Sequence, residues 1–290
     1  MTAARALPDN IARLQWNNRL KSGALCVFFI AGMGVFALTL FLMVALPASL
    51  VPDSGLSLQQ MMHDPKMQLK LLRFFFKIFF FAGGMTLYFI YRDIKNIGEI
   101  FSSRPLTLHS SDKFYRAVEN MCISRGIKMP ALYVFNPTVI PPQTVTAAVA
   151  QGVGGLSALI VSEGALKLTP SLQEALAAQA VQRLYTKDTY FLTMYCFLGH
   201  FPFHAARSAN VIAKYLFWLP LRAAELVLAI ARPMILNLRL QRLDAGALEL
   251  TKDAAPLDAL AAQLPTMDTL ENYFYAPYLS LFIAKPQAAA

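Results

Sequence analysis

Residues 172–188 read LQEALAAQAVQRLYTKD, and this run is rich in alanine and leucine, which favour an α-helix. A Thr-Pro-Ser segment at 169–171 precedes it and gives a helix-start signal. Ser171 can accept a hydrogen bond from the amide three residues on, and Glu174 can reach back to the start, which together make a capping box. The pattern therefore predicts a helix over residues 171–188.

The helix resembles the zinc-site helix of the HtpX-like membrane metallopeptidases, a family that also holds the CAAX prenyl endopeptidases. There it follows the pattern E-L-x-A-V-L-A-H-E-x-x-H, and two alanines match when the pattern is placed on Glu174. The two zinc histidines then fall on Val181 and Tyr185, and the general-base glutamate falls on Gln182. Valine has no lone pair, a lone phenol is a poor zinc ligand, and glutamine takes no proton at neutral pH. The simpler interpretation is that Val181 and Tyr185 form the core-facing side of an amphipathic helix.

A second segment carries the same resemblance. Residues 239–251, RLQRLDAGALELT, align with a family helix of pattern R-E-Y-x-A-D-x-x-A, on which an acidic residue completes the zinc site. With Asp244 matched to the final aspartate of that pattern, the acidic ligand falls on Arg242, which repels a cation. A tyrosine at 275 begins Tyr-Ala-Pro where relatives carry Thr-His-Pro. The resemblance implies that Arg242 and Asp244 lie beside the degenerate positions of the first helix, and that zinc is lost.

The composition predicts membrane segments beside a modest folded domain. Hydrophobic residues make up 56% of the 290 residues, and the mean hydropathy of +0.45 is high for a soluble globular protein. The net charge of +9 suits a face against anionic lipid, and no aromatic–basic interleaving suggests a nucleic-acid partner. Three widely spaced cysteines indicate neither a disulfide framework nor a cysteine zinc site.

Two apolar runs predict a transmembrane hairpin over residues 22–92. No charged residue occurs from Ser22 to Pro52, which exceeds the about 20 residues that a spanning helix needs. A second run, Leu71 to Tyr91, follows a short polar loop. The basic tail of residues 1–21 is expected on the cytoplasmic side.

Four basic residues form one stripe where the second run begins, because they are spaced four, three and four apart: Lys66, Lys70, Arg73 and Lys77. One interpretation is that these long side chains snorkel to lipid headgroups. The other is that they form a basic face for a protein partner or an acidic lipid.

Two strands are predicted in the globular part. Ala131 to Phe135 is β-branched and aromatic and is bounded by prolines. A second strand, Ala158 to Val161, follows a glycine-rich turn. In the resembling family a strand here edges the substrate cleft, so the resemblance implies a peptide-binding edge formed by strand addition at Ala158, Leu159, Ile160 and Val161.

Residues 189–235 are largely apolar and predict a second membrane-associated hairpin. His200 and His204 have the spacing of a metal pair, but Pro202 between them disfavours the helix that would align them. Residues 93–188 and 236–285 then form the two parts of a zincin-like domain, and residues 286–290 form a disordered tail.

These observations predict an α+β membrane protein, mostly helical, with two to four transmembrane helices and a small zincin-like domain. We expect an integral protein of the bacterial inner membrane with its globular part cytoplasmic. The resemblance implies a catalytically inactive pseudo-metallopeptidase without a cofactor, which contacts the lipid bilayer and binds a membrane-protein partner or client. Two alternatives remain open: an active membrane endopeptidase with unusual ligands, and a structural subunit of a membrane complex.

Overall fold

A five-stranded mixed sheet lies at the centre of the described residues, with the strand order β1-β2-β4-β3-β5. The structure, a computed structural model, describes residues 13, 15–27, 65–107, 112–152, 155–196, 246–274 and 276–284. The strands are β1 (Ser103–Pro105), β2 (Ala131–Phe135), β3 (Ala147–Gln151), β4 (Ser157–Val161) and β5 (Phe282–Ile283). β2 and β4 run parallel, and the other neighbouring strands are antiparallel.

Helices cover both faces of this sheet. In chain order they are α1 (15–27), α2 (Pro65–Lys95), α3 (Ile97–Ile100), α4 (Asp112–Arg125), α5 (Glu163–Leu166), α6 (Pro170–Tyr185), α7 (188–196), α8 (246–251), α9 (Ala255–Gln263) and α10 (Met267–Glu271). A 3₁₀-helix, Ala276–Leu281, leads into β5.

The central strands are buried on both faces. Successive side chains of a strand point to opposite sides of the sheet, and helices cover each side. In β4, Leu159 and Val161 join the cluster that contains α4, α6 and α9. Ala158 and Ile160 join a second cluster with α7 and the aromatic side chains near β5. Strands of this kind need apolar residues on both faces, which explains the apolar run from Ala158 to Val161 in β4.

The prediction of a strand at Ala131–Phe135 is confirmed, and the second predicted strand is confirmed as part of β4. The prediction that Ala158, Leu159, Ile160 and Val161 form a peptide-binding edge is wrong. β4 lies between β2 and β3, and each of these four residues has a partner on both sides. Strand addition requires a strand with one unpaired side, so β4 is not available for it.

The edges of the sheet are also poorly suited to strand addition. β1 has three residues and ends at Pro105, which lacks an amide donor. β5 pairs with only two residues of β3. Beyond β5, the amide of Gln151 donates to Oγ1 of Thr193 on α7 at 3.0 Å, so this part of the β3 edge is occupied.

The predicted membrane architecture is contradicted. Within the described ranges we find no helix that combines the length and apolar character needed to cross a bilayer. The second apolar run does form most of α2, but its stretch between Lys77 and Arg92 is shorter than the about 20 residues that a span requires. For the described residues, the predicted transmembrane helices, and with them the inner-membrane localisation, are therefore contradicted.

The predicted second hairpin also begins differently from expectation. Its first residues form α7, where Phe191, Met194 and Cys196 pack in the core against the sheet. The rest of that hairpin, from residue 197, and most of the first predicted span, residues 28–52, lie outside the described residues.

The helix at 171–188 is confirmed with changed ends. α6 begins at Pro170 with Thr169 as its N-cap, and no side-chain capping hydrogen bond is formed there. The predicted capping box of Ser171 and Glu174 is therefore wrong; Pro170 instead supplies a helix start, because its fixed φ suits the first helical position. α6 stops at Tyr185, since Lys187 adopts a φ of 61° that a right-handed helix cannot contain.

Candidate functional site

The helix whose residues align with the zinc motif, α6, is buried along most of its length. α6 packs against α4, α9 and β3. Val181 has no exposed surface and belongs to the core cluster, and Gln182 is 3% exposed. Tyr185, at the last position of α6, is partly exposed. The first two degenerate positions are therefore filled by packed side chains and do not line an open cleft.

The side chain of Gln182 lies directly against the backbone of Gly246, the first described residue of α8. A Cβ atom on Gly246 would overlap the Gln182 amide, so only glycine fits there without movement. Ala247 is fully buried in the same cluster as Val181. α6 and α8 are therefore in contact two residues beyond Asp244. Arg242 and Asp244 themselves lie outside the described residues, so their place beside Gln182 stays a prediction.

Arg125 brings a positive charge to this contact. From the last turn of α4, its Nη2 atom donates to the carbonyl of Gly246 at 3.2 Å. The same atom lies 2.8 Å from Oε2 of Glu249. The guanidinium carbon lies 5.1 Å from the centre of the Tyr185 ring, a cation–π distance. A basic residue in the last turn of a helix is common, so the sequence held no signal for this role.

A zinc ion does not fit this arrangement. Catalytic zinc requires about three nitrogen, sulfur or carboxylate ligands. The part of the chain that the structure describes contains no group of three His, Cys, Asp or Glu residues able to hold a metal. Oε1 of Gln182 is a buried oxygen without a hydrogen-bond partner, but it is a neutral amide oxygen, and the carbonyl of Gly246 beside this side chain already accepts from Arg125. The donor set is therefore chemically unsuited to a divalent cation.

The C-terminal end of α6 is held by α1, a contact that was not predicted. Nε2 of Gln15 donates to the carbonyl of Tyr185 at 2.7 Å. Nδ2 of Asn18 donates to the carbonyl of Thr186 at 3.1 Å and to Oδ1 of Asp188 at 2.8 Å. These side chains satisfy carbonyls that have no partner within the helix. Part of the predicted N-terminal tail, from residue 15, thus belongs to a helix that packs on the domain.

The close approach of α1 also affects Lys187, at the turn between α6 and α7. Burial lowers the pKa of the Lys187 ammonium, and the positive charge of Arg19 on α1 lowers it further. Both causes disfavour the charged form of the amine.

The other predicted site residues are dispersed. Three of the four basic residues are exposed on α2: Lys66, Arg73 and Lys77. The side chain of Lys70 is not described, and His200 and His204 lie outside the described residues. The predicted edge residues lie at the centre of the sheet. Of the predicted site, the structure therefore brings together Val181, Gln182 and Tyr185, with Arg125 and Gly246 as neighbours that only the fold identifies.

Comparisons with protein-family models, with curated proteins and with solved structures found no match for this chain. The similarity to the HtpX-like metallopeptidases thus depends on the sequence segments at 174–185, 239–247 and 275–277. Membership of that family stays a hypothesis.

The contact between Gln182 and Gly246 can be tested by a double-mutant cycle. Gly246→Ala is expected to destabilise the protein by about 1–3 kcal/mol, because the new methyl group overlaps the Gln182 amide. In a Gln182→Ala background the clash disappears, so the same substitution should be neutral or stabilising, as alanine is in most helices. Urea unfolding of the four proteins gives the coupling free energy.

Gly23→Ala on α1 is the matched control, because a Cβ atom there meets nothing within 4 Å. That variant should retain or raise stability. An equal effect of Gly246→Ala in both backgrounds would show that Gln182 and Gly246 are not in contact.

Proposed function

We propose that this chain is a metallopeptidase-like protein that has no peptidase chemistry and acts by binding another protein. The observation that carries the proposal is the packing of Gln182 against Gly246. A general base needs a group that takes a proton and an open position for water, and a buried amide packed on backbone offers neither. Val181 at the neighbouring ligand position is part of the core.

The charge at the site supports the same proposal over an active peptidase with unusual ligands. Arg125 approaches both Tyr185 and Gly246, so a metal placed between α6 and α8 would meet a guanidinium. Val181 and Gln182 are packed, and the Arg125 guanidinium is held by an ion pair with Glu249. Both observations favour a structural role for this part of the fold.

The surface of α2 supports binding as the remaining function. This helix exposes large apolar side chains, with Phe80 72% and Phe81 71% exposed. Large apolar side chains exposed together on one helix are typical of an interaction site. The activity therefore resides in contacts that α2 makes outside the sheet domain.

The test is metal analysis and a proteolysis assay on the purified full-length chain. After incubation with zinc and removal of the excess, we expect far less than one zinc per chain and no cleavage of an unfolded protein substrate such as casein. The reason is that a catalytic site needs about three ligands, which this contact does not supply. One bound zinc per chain, with cleavage abolished both by a chelator and by Gln182→Ala, would establish an active peptidase instead.

A further inference from the structure

One line of exposed apolar side chains runs along the first half of α2. The exposed fractions are 48% for Leu69, 52% for Leu72, 49% for Phe76 and 72% for Phe80. Their spacing of three, four and four residues places them on one side of the helix. The same spacing is found in helices that insert anchor residues into an apolar groove or against a second helix.

A second line, of basic side chains, runs beside the first. Arg73 follows Leu72 and Lys77 follows Phe76, and each successive residue is displaced by about 100° around an α-helix. Both basic side chains are exposed. In the sequence of α2 the first acidic residue is Asp93, near its end, so no carboxylate of α2 itself is available to the two lines.

We propose that these two lines form a docking surface for an amphipathic helix of another protein, whose apolar stripe is flanked by aspartate and glutamate. The surface is defined by Leu69, Leu72, Phe76, Phe80, Arg73 and Lys77. Apolar burial supplies the affinity, and carboxylates opposite the two cations select the partner and its orientation. The inference rests on the proposed function, since it names the partner of a protein proposed to act by binding.

Charge argues against a second copy of this chain as the occupant. Two copies of α2 would bring the two basic lines together without an acidic group between them. The chain as a whole carries a net charge of +9, which adds to the repulsion.

The arrangement of the charges argues against a flat lipid surface. At about 100° per residue, the basic line lies between the apolar stripe and Phe81 around the helix. Phe81 is 71% exposed, so apolar groups flank Arg73 and Lys77 from both sides. A bilayer surface that buried both apolar sets would also bury the cations, whereas a protein can place carboxylates opposite them. Helices that lie on membranes keep their charges on the face opposite the apolar one.

The test measures binding of two synthetic helical peptides to the full-length protein by fluorescence anisotropy. The peptides share one leucine stripe, which is flanked by glutamate in the first and by lysine in the second. We expect the glutamate peptide to bind and the lysine peptide to bind at least roughly tenfold more weakly. The double variant Arg73→Glu with Lys77→Glu should reverse this preference, because it exchanges the sign of the basic line.

Lys113→Glu with Lys128→Glu is the matched control, since both lysines are exposed, neither belongs to α2, and the change in net charge is the same. This control should retain the preference for the glutamate peptide. Equal binding of the two peptides, or an unchanged preference in the α2 variant, would overturn the proposal. Binding to phosphatidylglycerol vesicles without binding of the glutamate peptide would overturn it in favour of a lipid surface.

Different experimental results would refute the two proposals. Stoichiometric zinc and peptide-bond cleavage would refute the lack of catalysis and leave the peptide preference of α2 intact. Loss of the peptide preference would refute the docking surface and leave the metal analysis unchanged.

Discussion

A variant that carries Val181→His, Gln182→Glu and Tyr185→His should lose most of its folding free energy and gain no catalytic zinc site. Val181 is fully buried and Gln182 is 3% exposed. An imidazole at 181 is larger than valine and brings polar nitrogens into an apolar cluster, where each unsatisfied group costs about 1–3 kcal/mol. A carboxylate at 182 is buried against the Gly246 backbone, and burying a charge costs several kcal/mol more. A combined loss of about 5 kcal/mol or more is comparable with the whole stability of many domains.

Urea unfolding and a zinc titration test this expectation. Tyr185→His alone is the control, because Tyr185 is partly exposed and the change removes only a cation–π contact with Arg125, worth about 0.5–1 kcal/mol. A triple variant that folds with native stability and binds one zinc per chain would show that positions 181 and 185 surround a true cleft. The proposal of a packed, non-catalytic site would then be wrong.

Local sequence signals identified some elements of this fold well. The alanine-rich run predicted α6, and the β-branched and aromatic run predicted β2. β3 was missed because its sequence, AAVAQ, is mostly alanine, which has little preference for strands. Its burial on both faces leaves room only for small side chains, so tertiary packing overrides the propensity.

The wrong prediction of a peptide-binding edge follows directly from the missed strand. Strand order depends on pairing between distant parts of the chain, and no local pattern reports it. Once β3 is present, it pairs with all of β4 and removes the edge that the resemblance implied. A sequence-based prediction that identifies two strands correctly can therefore still misplace the edge of the sheet when it misses a third strand.

The membrane prediction failed for a related reason. A hydropathy average counts apolar residues and contains no information on whether they pack in a protein core or face lipid. In the described domain, α6 is buried on nearly every side and the central strands on both faces, so much of the apolar content forms the core. In α2 the predicted span also included the charged residue Lys77, because one charge changes an average over many apolar residues only slightly.

The sequence placed the three positions aligned with the zinc motif on one helix but did not predict what surrounds them. The resemblance located Val181, Gln182 and Tyr185 from spacing within one helix. Their partners come from far along the chain: Arg125 contacts Gly246 across 121 residues, and Gln15 contacts Tyr185 across 170. Contacts at such separations require the fold, and they explain why this end of α6 is packed against residues from distant parts of the chain.

Arg183→Ala should be among the most damaging single substitutions in the domain, with an expected loss of about 3–5 kcal/mol. Arg183 is 6% exposed, and its Nη1 atom donates to the carbonyl of Phe282 at 3.0 Å and to that of Leu281 at 3.5 Å. Alanine removes both hydrogen bonds and leaves a cavity where the long side chain packed. Because these bonds connect α6 to β5, β5 should be released from β3 before the rest of the sheet unfolds.

Hydrogen exchange and urea unfolding of three variants separate the causes. Arg183→Met keeps most of the packed volume and loses the donors, so it should lie between Arg183→Ala and the parent protein. Arg104→Ala is the matched control, because Arg104 is 68% exposed and its 3.0 Å ion pair with Glu163 is a surface pair worth about 0–1 kcal/mol. Faster exchange at Ala147 and Ile283 in Arg183→Ala would show that β5 has left the edge of β3. If Arg183→Ala lowers the free energy of unfolding no more than Arg104→Ala does, Arg183 does not hold β5 in place. The pairing of β5 with β3 must then depend on other contacts.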